Sequence, residues 1–255
     1  MVLTKNQIKF VKSLSKKRER DAHKVFVAEG PKLVNDILAC GGQLMEVFGL
    51  TSWGVENAGL IHKSQLNYTE VSVAEMARIT ELATPSPVLA IFHQPLESKS
   101  ENPSGSIVIL DDLRDPGNLG TIIRTADWFG IRTIVCSPET VDCFNPKVIQ
   151  STMGSILRVS IKYTPIADFI RQHGAEYTFY GTFMDGDSIK SLSYANPSAF
   201  IIGNEAHGIS KEIEQLIHQR IAIPGNQKAD GIEGPESLNA AIATSIVLSD
   251  WFLKK

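Results

Sequence analysis

Three cysteines in 255 residues, Cys40, Cys136 and Cys143, form no C-x-x-C pair and leave an odd count. A disulfide framework or a thiolate zinc site is therefore not expected, and the three read as reduced, mostly buried thiols. The six histidines lack metal-ligand spacing, so no metal is expected either. No apolar run approaches the ~20 residues that a membrane helix needs. Met1 opens onto "VLTKNQIKF" rather than onto a signal-peptide core, so the expectation is a cytoplasmic protein without a membrane partner. Walker P-loop and G-x-G-x-x-G patterns are also missing, which leaves a nucleotide hydrolase or a nicotinamide enzyme unsupported. What remains is ordinary for a globular protein: 43% apolar and 21% charged residues, in a chain long enough for one large domain or two modest ones.

The net charge of −3 argues against a nucleic-acid partner only if charge is evenly spread. It is not. Residues 1–24 carry eight Lys or Arg against Glu19 and Asp21, and local basic clusters rather than totals attract phosphate backbones. Lys16, Lys17, Arg18 and Arg20 are the candidate RNA-binding residues of this segment. A solvated helix face is the competing reading, and the residues alone leave both open.

Along the chain, "NQIKFVKSLSKKRERDAHK" places Ile8, Val11 and Leu14 at helical spacing and predicts an amphipathic helix. Strands ("VFVAEG", "LMEVFGL", "YTEVS", "VLAIF") then alternate with helices ("PKLVNDILAC", "SVAEMARITEL"), the α/β pattern. The stretch 93–106, "HQPLESKSENPSGS", has the composition of a linker. It divides the chain into a first domain over 1–98 and a second over 105–255. In the second the alternation restarts with "SIVIL", "NLGTIIRTADWFG" and "TIVC", continues through "NPKVIQSTMG", and ends in a long apolar helix from about Pro235.

Three strand ends carry chemistry-bearing residues. After "SIVIL", the turn "GNLG" allows a tight bend at Gly117 and Gly120, while Leu119, Ile122, Ile123, Ala126 and Phe129 form a buried stripe. Arg124 and Trp128 fall on the opposite face, where Arg and Trp suit a partner surface. After "AFII", Gly203, Asn204 and Glu205 come together, with Gly208 freeing the turn. After "RIAIPG", a polar loop leads to Ser237, Leu238 and Asn239 at a helix start. Asn118 and Ser237 are each explicable as helix caps alone. Loops of this kind at the carboxyl ends of strands can also build one pocket.

"DPGNLGTIIRTA", "FIIGNEAHGIS" and "IPG...ESLNAAIAT" resemble, in order, the three motifs of the SpoU (TrmH-like) branch of the SPOUT RNA methyltransferases. The earlier "KKRERDAHKVFVAEGPKLVNDIL" is similar to the amino-terminal substrate-binding domain of many such enzymes. The resemblance implies a SPOUT-type α/β catalytic domain whose carboxyl-terminal segment forms a trefoil knot, preceded by a small α/β substrate-binding domain. It implies a homodimer that transfers a methyl group from S-adenosyl-L-methionine to a ribose 2′-hydroxyl, in ribosomal rather than transfer RNA by analogy of the first domain. Carried over by position, Asn118, Arg124, Glu205, Ser237 and Asn239 are catalytic, and the backbones of Gly203, Ile223 and Leu238 hold the cofactor, with the Leu238 side chain packed. The loop from Gly225 to Glu236 is longer than the usual third motif. A non-catalytic RNA-binding or ribosome-assembly protein is the alternative; it would not need Asn118, Arg124, Glu205 and Asn239 together.

Overall fold

The computed structural model describes residues 3–63, 65–95, 105–225, 228–229, 232–233 and 237–255. In chain order the first elements are α1 (Lys5–Ser13), α2 (Lys17–His23), β1 (Val25–Glu29), α3 (Pro31–Ala39), β2 (Leu44–Gly49), α4 (Thr51–Glu56), α5 (Ala58–Lys63), β3 (Tyr68–Glu70), α6 (Val73–Ile79) and β4 (Val88–His93). There follow β5 (Ile107–Leu110), α7 (Pro116–Trp128), β6 (Thr133–Cys136), α8 (Pro146–Thr152), β7 (Ser160–Tyr163), α9 (Ile166–His173) and β8 (Thr178–Ser188). The last are β9 (Ser198–Ile202), α10 (Lys211–Glu214), β10 (Gln219–Ala222), the short β11 (Lys228–Ala229) and β12 (Ile232–Glu233), and α11 (Ala240–Leu253). Among the described residues no helix is long and apolar enough to cross a membrane. Cys40 is exposed, and Cys136 and Cys143 are buried.

Contacts divide the chain into two units, one of residues up to Glu97 with Asp142–Arg158, the other of Ser98–Val141 with Val159–Lys255. The first unit is thus discontinuous, whereas the sequence reading placed 142–158 wholly in the second domain. Most of the expected linker lies outside the described residues. The first unit has a four-stranded sheet in the order β1-β4-β2-β3, with β2 and β3 parallel and the other pairs antiparallel. Val25, Val27, Phe48, Leu89 and Ile91 of the sheet pack with Val11, Leu14, Met76 and Ile79. The inserted segment joins this fold through Phe144, whose ring stacks on Phe26 at 5.5 Å, while Phe26 also stacks on Phe92 at 5.6 Å. An aromatic contact 118 positions along the chain leaves no local signal in the alternation of strands and helices.

The basic segment forms two helices rather than the single one expected. A capping box starts α1, with the Gln7 N–H donating to Thr4 Oγ1 at 3.2 Å and the Thr4 N–H donating to Gln7 Oε1 at 3.1 Å. The chain then breaks at 14–16, where the Arg20 guanidinium donates to the Leu14 and Ser15 carbonyls, each at 2.8 Å. Arg20 also pairs with the Asp142 carboxylate, and its side chain is 2% exposed. This corrects one expectation: Arg20 is not available to RNA, because its charge is spent inside the first unit. Lys16, Lys17 and Arg18 remain exposed.

Removing one partner of a buried ion pair strands the other, at a cost of about 3–5 kcal/mol. Arg20→Ala should therefore lower the midpoint of thermal or urea unfolding markedly, far more than Lys17→Ala on the same helix. Equal, small shifts for the two variants would show that the pair contributes little.

The second unit carries a six-stranded sheet in the order β10-β8-β9-β5-β6-β7, parallel throughout. Its central strands β5, β6 and β9 are buried along their whole length, as continuous apolar runs covered on both faces should be. On one face Ile107, Ile109, Val135, Ile201 and Phe179 pack with Phe169 and Ile170 of α9. Phe200 meets Trp251 of α11, with ring centroids 5.8 Å apart. The chain runs outward from β5 to β6 and β7 on one side, while β9 and its onward connection lie on the other. The carboxyl ends of β5 and β9 therefore flank a reversal of strand order, the place where open parallel sheets bind ligands.

Candidate active site

The connection leaving β5 does not bend at "GNLG" as the sequence suggested. Gly117 and Gly120 lie inside α7, and the tight backbone position comes earlier, at Asp112, with a left-handed φ of 55°. Pro116 opens the helix, and Asp115 is its N-cap, its carboxylate accepting from the Asn118 N–H at 2.7 Å. An Asp-Pro pair is a recognisable helix start, so this signal was available. Its consequence is chemical: with the cap supplied by Asp115, the Asn118 side chain is free for other work.

That side chain joins the three motifs. Asn118 Nδ2 donates to Glu205 Oε1 at 2.9 Å, and Asn239 Nδ2 donates to Asn118 Oδ1 at 2.8 Å. Asn239 is in turn the N-cap of α11, its Oδ1 accepting from the Ala241 and Ile242 N–H groups at 2.9 and 3.3 Å. The direction of the relay is fixed at both ends. A carboxylate only accepts, so Asn118 must present its amide NH₂ to Glu205; a cap must accept, so Asn239 must present its NH₂ to Asn118. The helix starts later than expected because Asn239, not a residue near Pro235, satisfies its first N–H groups.

Glu205 sits in a five-residue loop closed by reciprocal backbone bonds between Asn204 and Gly208, both 2.9 Å. Gly208 supplies a φ of 68°. Gly203 admits no side chain, since a Cβ there would lie 2.1 Å from the Gly208 carbonyl carbon. Besides Asn118, the Glu205 carboxylate accepts from the Arg114 and Asp115 N–H groups, each at 3.3 Å. Burial pushes this carboxyl up, but the bonds from Asn118, from its own backbone and from Arg114 and Asp115 outweigh burial and hold it below its ordinary value. A carboxylate so engaged is a weak base and a rigid anchor.

Sequence reasoning missed several supporting groups. Asp111 accepts from the Ser210 N–H at 2.8 Å, and Asn204 Nδ2 donates to the Asp112 carbonyl at 2.8 Å. These bonds tie the loops after β5 and β9 together, yet 92 or more positions separate the partners.

The remaining site residues are placed differently. Ser237 is exposed two residues before the cap, with no hydrogen bond to its side chain among the described residues. Arg124 is exposed on the outer face of α7 beside Trp128, which is 83% exposed, and no hydrogen bond joins it to the relay. Leu238 is 49% exposed, not packed as expected, because it precedes the helix instead of lying on it.

Gly203 follows β9, Ile223 follows β10 and Leu238 precedes the α11 cap, so none of their backbone groups lies within a regular strand or helix. The Ile223 side chain is half-buried and the Leu238 side chain half-exposed. Most of the loop 225–236 lies outside the described residues.

Comparisons with known proteins place the chain by sequence and by fold. A model described as the SpoU rRNA Methylase family matches residues 105–249, and one described as the MRM3-like substrate binding domain matches residues 5–90. The crystal structure of an AdoMet-bound rRNA methyltransferase from Sinorhizobium meliloti is 32% identical and covers 98% of this chain and 96% of that one, with a TM-score of 0.82. The 23S rRNA (guanosine(2553)-2′-O)-methyltransferase of Bacillus subtilis is 28% identical over 96% of this chain and 95% of its own length. A 23S rRNA (uridine(2479)-2′-O)-methyltransferase of Streptomyces viridochromogenes is 26% identical over 78% and 70%.

Proposed function

We propose, for a chain that belongs to the SpoU rRNA methylase family, that it transfers a methyl group from S-adenosyl-L-methionine to a ribose 2′-hydroxyl in ribosomal RNA. The observation that carries this reading is the Glu205–Asn118–Asn239 relay, which gathers residues from three separate loops at the ligand-binding edge of a parallel sheet. The 2′-O specificity and the ribosomal substrate are taken from the relatives named above. The two relatives act on different nucleotides, a guanosine and a uridine. The bacterial rRNA methyltransferase relatives support a cytoplasmic placement.

The cofactor, once bound, supplies a methyl group on a sulfonium, a strong electrophile. A ribose hydroxyl is a poor nucleophile until its oxygen is aligned and its proton drawn off. Glu205 is unsuited to take that proton, since four donors already hold its depressed carboxylate. Arg124 is unsuited because a guanidinium stays protonated in proteins. Its role is to clamp the target phosphate and hydroxyl, with the proton passing to that phosphate or to water. Glu205, Asn118 and Asn239 hold the loops that shape the pocket.

The same reading includes a homodimer with the family's carboxyl-terminal trefoil knot. Helix α11 is apolar on both sides: Val247, Leu248 and Trp251 are buried, while Ile242, Ile246, Phe252 and Leu253 are 51%, 37%, 50% and 81% exposed. A helix apolar all round belongs in an interior, and a second copy of this chain supplies one by two-fold symmetry.

Isothermal titration with S-adenosyl-L-methionine separates this reading from a non-catalytic RNA-binding module: saturable one-to-one binding supports the enzyme, and no heat of binding supports the module. The basic helices have their own test. Reversing Lys16, Lys17 and Arg18 should weaken RNA binding and flatten its dependence on salt while sparing cofactor affinity, because each lost phosphate contact removes about 0.7–0.9 from the log–log slope. An unchanged slope returns the segment to a solvated face.

A further inference from the structure

Arg114 has no place in the sequence reading, yet it stands at the centre of the site. Its backbone N–H donates to Glu205 at 3.3 Å, and its Nε donates to Asp112 Oδ1 at 2.8 Å. Asp112 is itself held in the strained left-handed region, φ 55°, by the Ser137 hydroxyl, which accepts from its N–H at 3.0 Å, and by Asn204, which donates to its carbonyl. Strain of this kind persists only where the surroundings over-determine it, and it clusters at functional sites. Here its effect is to aim a carboxylate at one edge of a guanidinium.

The side chain of Arg114 is nevertheless 68% exposed. With Nε engaged, the two terminal NH₂ groups are left as an outward fork. The loops around it are acidic: Asp111, Asp112, Asp115, Glu139 and Glu205 all lie within the segments that follow β5, β6 and β9. An RNA strand entering such a ring meets repulsion unless a cation answers it. Within 111–118 and 203–210 Arg114 is the one Lys or Arg.

We propose that Arg114 binds a second backbone phosphate of the RNA, next to the one that Arg124 clamps, and that Asp112 is the positioning residue that orients it. A guanidinium held through Nε offers two parallel donors to two phosphate oxygens, the geometry in which Arg outperforms Lys. Because the same residue's N–H holds Glu205, phosphate capture is mechanically joined to the relay. This inference rests on the methyltransferase reading and names a substrate contact within it.

The test compares Arg114→Gln and Arg114→Lys with the wild-type chain, using in-vitro-transcribed 23S rRNA as the probe. Arg114→Gln should raise KM for RNA by about tenfold, the scale of one charge-assisted bond, lower the salt slope of RNA binding by about one phosphate contact, and leave S-adenosyl-L-methionine affinity within about twofold. Arg114→Lys should restore the salt slope but not the KM, because it keeps the charge and loses the fork. Asp112→Asn should raise KM with the slope unchanged. Wild-type KM and slope in Arg114→Gln overturn the phosphate contact alone. A wild-type chain that binds cofactor but labels no RNA, or that binds no cofactor, overturns the methyltransferase reading and this inference with it.

Discussion

Asn239→Asp is expected to leave α11 and cofactor affinity in place while methyl transfer falls by about a hundredfold, the scale of misplacing a reacting group by about 1 Å when the residues that position it are disturbed. The aspartate keeps the cap: its carboxylate still accepts from the Ala241 and Ile242 N–H groups and suits the positive end of the helix. What it loses is the Nδ2 donor, so an acceptor now faces Asn118 Oδ1. Asn118 then either stays unpaired or turns over and sets its oxygen against Glu205. Either way the relay opens. Asn239→Ala makes the contrast, since it removes the donor and the cap together and adds about 1 kcal/mol of lost helix stability. Turnover, cofactor affinity and melting midpoint measured on both variants separate the two roles. Wild-type turnover in Asn239→Asp, or equal losses of binding and turnover, contradicts a part for the relay in the reaction.

Mixing Arg124→Ala with Asn239→Asp, each nearly inactive alone, is expected to restore one site in each heterodimer, up to about a quarter of the wild-type sites once equal amounts of the subunits exchange freely, as two-fold symmetry requires of a shared site. Arg124 points away from the core of its own unit, next to Trp128 and on the helix against which α11 packs. In a dimer formed through that face, the arginine of one subunit serves the pocket of its partner. A heterodimer then has one site with both defects and one with neither. If Arg124 instead serves its own chain, every site in the heterodimer carries a defect, and exchange restores nothing. Ile246→Glu supplies the control: a charge on the exposed apolar stripe should yield a monomer and abolish activity in both arrangements.

The two examples show what a linear reading can reach. The parallel sheet was legible because its strands, such as "SIVIL" and "AFII", are apolar runs separated by helices with a buried stripe. The residues of the relay were legible by type and place, each at a strand end or helix start, but their meeting was not. Asn118 and Glu205 are 87 positions apart, and Asn118 and Asn239 are 121 apart. Caps were misassigned where two candidates compete: Asp115 and Asn118 both suit a helix start, and only the geometry shows which accepts. Arg20 failed for a different reason. In a run of basic residues it looks like its neighbours, and what distinguishes it is Asp142, which reaches it from 122 positions away.

The most direct test of the central claim is to map 2′-O-methylated nucleotides in ribosomal RNA from a strain lacking this protein, and to treat that RNA with the purified chain and S-adenosyl-L-methionine. The account predicts one 2′-O-methyl site missing in the deletion strain and restored in vitro by the wild-type chain but not by Asn239→Asp. Persistence of every 2′-O-methyl site in the deletion strain, with no methyl transfer to its RNA in vitro, would contradict it.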